Sequence, residues 1–78
     1  MSSIVLDVVI EDSTLEEYVA ATEKLYDLKL TVLNENGPAG GWPEIKFEGH
    51  RKRVEAYIRV YSGHDPRVYE DLIDDIKD

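Results

Sequence analysis

Between Ile4 and Ile10 the apolar side chains Ile4, Leu6, Val8 and Ile10 alternate with Val5, Asp7 and Val9, a period of two that predicts a strand. Because Val5 and Val9 make its second face half apolar, this strand is expected to be central and partly covered on both sides. The period then lengthens. Leu15, Tyr18, Val19, Thr22, Leu25 and Tyr26 recur at spacings of three and four, which predicts an amphipathic helix from about Thr14 to Tyr26 with Glu16, Glu17 and Glu23 toward solvent. Ser13 followed three positions later by Glu16 makes a capping box at its start, with Asp12 as a second candidate cap.

Alternation resumes with Leu28, Leu30 and Val32 against Lys29, Thr31 and Leu33, giving a second strand that ends near Asn34. From Asn36 to Pro43 three glycines and two prolines exclude both helix and continuous ladder, so this stretch reads as a loop. A third strand, Glu44 to Glu48, puts Ile45 and Phe47 on one face and pairs as a hairpin with the second; Gly49 is expected to break it. Val54, Tyr57, Ile58 and Tyr61 mark a second helix stopping around Ser62-Gly63, and Asp65-Pro66 opens a third whose stripe is Tyr69, Leu72, Ile73 and Ile76.

The order β-α-β-β-α-α over residues 1–78 points to a single α+β domain, a two-layer sandwich similar to the ferredoxin-like fold without its last strand. A right-handed crossover through the first helix leaves room for strand three between strands one and two, making a three-stranded antiparallel sheet. The C-terminal helix takes the place of the missing strand, either joining the helix layer or covering the free edge of strand one.

Composition narrows the function classes more than it selects one. A chain of 78 residues holds one core and buries only about 60% of its unfolded surface. The absence of cysteine removes disulfides, thiolate nucleophiles and sulfur-based zinc sites, and leaves the cytosol as the default compartment. The apolar run from Ile4 to Ile10 is too short to span a bilayer, and no export signal precedes it. A net charge of −8 repels phosphate backbones and anionic lipid while favouring basic protein surfaces, so direct nucleic-acid or membrane binding is not expected.

Enzyme chemistry has little to stand on. His50 and His64 each sit beside a turn without a nucleophile motif. The only plausible metal set, Glu48, His50, His64 and Asp65, is drawn from both ends of the second helix, ends that lie about 18 Å apart. No cofactor is expected. The clearest anomaly is electrostatic: the second helix opens on His50-Arg51-Lys52-Arg53 and the third closes on Asp74, Asp75 and Asp78, the reverse of what helix ends favour. One explanation is internal, an antiparallel pair of helices in which the two clusters neutralise each other. The other is a contact surface, in which the acids Asp71, Asp74, Asp75 and Asp78 form one ridge able to imitate the phosphates of a nucleic-acid strand.

Trp42, the only tryptophan, lies in the glycine-proline loop, where it serves either as an interface anchor or as a cap on the sheet; the five tyrosines fall on helix stripes as core and boundary residues. The leading expectation is therefore a small non-enzymatic regulator or inhibitor of a larger protein with a basic surface, of the sort carried by phages and mobile elements. Its contacts would be Trp42 with Asp71, Asp74, Asp75 and Asp78. One alternative is a ligand-sensing or anion-binding domain using Gly49, His50, Arg51, Lys52 and Arg53 at a helix start. Another is a self-assembling structural protein, a homodimer or larger, whose reversed charges pair between copies.

Overall fold

The computed structural model describes residues 1–35 and 42–78; the loop expected over 36–41 lies outside the described residues. The elements are β1 (Ser2–Asp7), α1 (Leu15–Tyr26), β2 (Lys29–Asn34), β3 (Glu44–Gly49), α2 (Arg51–Tyr61) and α3 (Pro66–Asp74). The expected order holds, and the antiparallel sheet runs β1-β3-β2 with β3 in the middle. It is β3, not β1, that is central. Ile45 and Phe47 are fully buried there, joined by Ile4, Leu6 and Val8 from β1 and its continuation, Leu28 and Leu30 from β2, and Val54, Tyr57 and Ile58 from α2.

The second face of β1 is open, because the core and the helices occupy the other side of the sheet. Val5 is about half exposed, and a shallow hollow of about 580 Å3 on the open face is lined by Val5, Leu33, Lys46, Asp75 and Lys77 among others. Leu33 points to this side with Thr31, as the strand's alternation requires, and a register shift follows between Val32 and Asn34. Strand β1 also begins earlier than the apolar pattern suggests and stops at Asp7, since Ser2 and Ser3 pair with Gly49 and Glu48. Gly49 is the last residue of β3 rather than its breaker. A Cβ there would come within 2.6 Å of the Leu28 side chain, so the missing side chain lets the two strands close over Leu28.

Helix α1 starts one residue later than the expected box. Thr14 is the cap, its hydroxyl accepting from the Glu17 backbone N–H at 3.1 Å. Leu25, expected on the stripe, is 75% exposed. Glu23, expected in solvent, instead turns toward the sheet and accepts the backbone N–H of Leu30 at 3.0 Å. That amide belongs to the outer edge of β2, so Glu23 closes part of an edge that would otherwise template pairing with another chain. Glu23→Ala is expected to lower stability by about 1 kcal/mol and to increase self-association in sedimentation velocity runs, whereas Glu23→Gln, which keeps an acceptor, should do neither.

Gly63 and His64 both adopt left-handed backbone, with φ of 66° and 62°, and reverse the chain between α2 and α3. The two helices run antiparallel: the Arg59 guanidinium stands 5.7 Å from the Tyr69 ring near the link, and Arg51 reaches Asp78 at the far end. After Asp74 the helix ends, and Ile76 enters the core. Lys77 then exchanges two backbone hydrogen bonds with Ser3, of 2.7 and 2.8 Å. The free edge of β1 is thus covered by this last stretch of chain and not by the helix itself.

Candidate functional site

The sheet register sorts the charges toward two ends of the molecule. One end gathers the finish of β1, the start of α1, the finish of β2 and the start of β3, so that Asp7, Glu11, Asp12, Glu16, Glu35 and Glu44 share it. Asp7 stands directly across from Glu44 in the ladder, and Glu35 shares a hollow with Thr14, Leu15 and Glu16. Among the described residues none of these carboxylates has an ion pair. The opposite end holds Lys29, Arg51, Lys52, Arg53 and Lys77 beside Asp27, Glu48 and Asp78, and there Arg51 pairs with Asp78 and Arg53 with Asp27.

Two features sit at the acidic end besides the charge. Trp42 is 45% exposed, immediately before Pro43, whose carbonyl accepts from Val8 N–H at 3.0 Å. A groove of about 460 Å3 is lined by Val8, Val9, Tyr18, Tyr57, Val60 and Tyr61. Its tyrosines are fixed by their own contacts. Tyr57 stacks on Phe47 with centroids 4.3 Å apart, takes the Tyr26 ring edge-on at 5.4 Å, and shares a hydroxyl hydrogen bond of 2.5 Å with Tyr18. Burial and that hydrogen bond push the Tyr57 phenol well above its ordinary pKa. The Tyr61 hydroxyl donates to the Asp7 carbonyl at 2.6 Å, and its pKa is raised by burial first and by the Asp7 charge second.

The residues singled out from sequence divide between the two ends. Trp42 lies at the acidic end, whereas Asp75 borders the open-face hollow near Lys77. Pro43 meets β1's continuation at Val8 and Lys77 meets β1 at Ser3, five residues along the chain, or roughly 17 Å. Nor do the four C-terminal acids form one helical ridge. Asp71 and Asp74 are on α3, Asp75 is its C-cap, and Asp78 has left the helix. Asp71, Asp74 and Asp75 are exposed without an ion pair among the described residues, but Asp78 binds the Arg51 guanidinium at 2.7 Å and accepts from the Ser2 hydroxyl.

At the helix start, Gly49 is buried in the strand and His50 caps α2 without a side-chain bond. Arg51 is taken up by Glu55 at 2.9 Å as well as by Asp78, and Arg53 lies 3.6 Å from Asp27; Lys52 has no ion pair among the described residues. Among the described residues, no group of three or more His, Asp or Glu could hold a metal ion, and no helix is long and apolar enough to cross a membrane.

The Ser2 hydroxyl, with Arg51 behind it, holds the Asp78 carboxyl below its ordinary pKa. A depressed folded pKa contributes stability that is complete above the unfolded value, about pH 4, and is lost as pH falls through the folded value. Asp78→Asn should therefore reduce the steepness of the acid limb of a thermal-midpoint profile below about pH 4; Asp65, whose carboxyl is likewise lowered by Arg67, should continue to contribute there.

Sequence reasoning missed Val9, Val60 and Tyr61 as a surface, although Val60 lies outside the apolar stripe of α2 and Val9 on the second face of the strand predicted over Ile4 to Ile10, which is the available signal. Comparison with protein-family models, with curated proteins and with solved structures finds no match to this chain.

Proposed function

We propose that this chain is a small, acidic, non-enzymatic interaction module that regulates or inhibits a larger cytoplasmic protein by receiving a basic surface of that partner at its acidic end. The observation that carries this reading is the coincidence of uncompensated carboxylates, Asp7, Glu11, Asp12, Glu16, Glu35 and Glu44, with exposed Trp42, Val9, Val60 and Tyr61. Like charges gathered without counter-ions oppose folding, and opposite charge from a partner relieves them while steering the encounter. Aromatic and aliphatic side chains between them supply the contact area that charge alone lacks.

The anion-binding alternative at Gly49 to Arg53 has less support, because Arg51 and Arg53 already pair with the chain's own carboxylates. The partner reading is tested by measuring binding to a basic partner, or to a lysine-rich peptide in its place, with Trp42→Ala and with the triple change Glu11→Gln, Asp12→Asn, Glu44→Gln. Each should weaken binding. Unchanged affinity in both would remove the acidic end as the contact surface.

A further inference from the structure

The groove beside the acidic rim is more specific than a charged patch. Val9 and Val60 are 53% and 50% exposed on its walls, and Tyr61 at its mouth is 39% exposed. Its shape does not depend on loose side chains, since Tyr57 is clamped by Phe47 and Tyr26 and Tyr61 is tied to the backbone of Asp7. A rigid apolar recess of about 460 Å3 falls in the range that accepts a side chain or small ligand with little reorganisation.

Charge decides what enters it. One wall of the recess, Val8 and Val9, belongs to the chain that runs from Asp7 toward Glu11 and Asp12, and these carboxylates have no ion pair among the described residues. An anionic ligand or an acidic segment would be repelled at the mouth. A cationic segment would be drawn in and would neutralise the rim as its apolar group fills the recess. We infer that the groove of Val8, Val9, Tyr18, Tyr57, Val60 and Tyr61 seats an aliphatic or aromatic side chain of a partner segment whose flanking residues are Lys or Arg. This inference rests on the basic-partner reading above and adds to it the anchor that gives the contact its selectivity.

The test is an amide-shift titration of the isotope-labelled full chain with three synthetic hexapeptides: Lys-Lys-Leu-Phe-Lys-Lys, six lysines, and Glu-Glu-Leu-Phe-Glu-Glu. The first should shift Val9, Val60 and Tyr61 together with Glu11, Asp12 and Glu44, and bind at least several-fold more tightly than six lysines, which should shift only the acidic residues. Val60→Ser should reduce affinity for the first peptide several-fold, leave six lysines unaffected, and keep the thermal midpoint, since Val60 is half exposed. Equal binding of the first two peptides, with no groove shifts, would overturn the groove while leaving the basic-partner reading intact. Binding by neither would remove both. Groove shifts as large with the glutamate peptide would overturn the role of charge. Concentration-dependent sedimentation with matching shifts at Val9, Val60 and Tyr61 would assign the groove to a second copy and overturn the proposal.

Discussion

Phe47→Ala is expected to remove a large share of the domain's stability while leaving a measurable unfolding transition. Phe47 has 0% exposure, lies on the central strand and stacks on Tyr57, the ring that also meets Tyr26 and Tyr61. Removing a buried phenylalanine costs about 3–5 kcal/mol, through lost transfer free energy and the cavity left behind. Typical domains hold about 0.05–0.15 kcal/mol per residue, or roughly 4–12 kcal/mol for a chain of this size, so the loss is a large fraction of the whole. Urea unfolding followed by circular dichroism should give a much lower midpoint, with a slope in denaturant close to that of the parent chain. Val5→Ala on the open face of the sheet is the contrast. Half exposed already, Val5 should change stability by no more than about 0.5 kcal/mol.

The triple change Glu11→Gln, Asp12→Asn, Glu44→Gln should move binding and stability in opposite directions. Affinity for a basic partner is expected to fall by about tenfold or more at low ionic strength, because several unit charges act together on the approaching cations. The difference should shrink as salt is raised, since at about 0.1 M the screening length is only about 10 Å. The thermal midpoint should rise over the same substitutions, because repulsion among carboxylates without partners is relieved. A variant that lost binding by misfolding would lose stability as well, so the opposed signs identify a contact surface. Isothermal titration and thermal unfolding on one preparation read both. Changing Asp71, Asp74 and Asp75 to Asn is the comparison, expected to leave affinity within about threefold; a larger loss there would move the contact to α3.

Much of the architecture was legible because periodicity survives into burial. Ile4, Leu6 and Val8, Ile45 and Phe47, and Val54, Tyr57 and Ile58 all line the core as their spacing requires. The misplacements have local causes. Ser2 and Ser3 carry no apolar signal, and join β1 only because Gly49 and Glu48 lie opposite them. Ser13 and Thr14 are adjacent hydroxyls, and sequence alone does not choose between two caps of equal chemistry. Glu23 was placed in solvent because a helix wheel knows nothing of the strand edge that follows.

The candidate site was harder to read for a different reason. The acids that stand out in sequence, from Asp71 to Asp78, fall in one short window, but the helix ends at Asp74 and Asp78 is drawn to Arg51 and Ser2. The acids of the proposed rim are scattered at positions 7, 11, 12, 16, 35 and 44 and become neighbours only when three strand ends and a helix start meet. No window along the chain contains them. Likewise Val9 and Val60 become a wall only because Tyr61 reaches across to Asp7.

The backbone exchange between Ser3 and Lys77 has a practical corollary. It holds Ser3 and Lys77 side by side on the far pole from Trp42, so a tether attached beside either one leads away from the carboxylate rim. Molecules anchored that way to a surface or a bead would all stand with the same pole facing outward, offering the rim and its aromatic recess to whatever flows past.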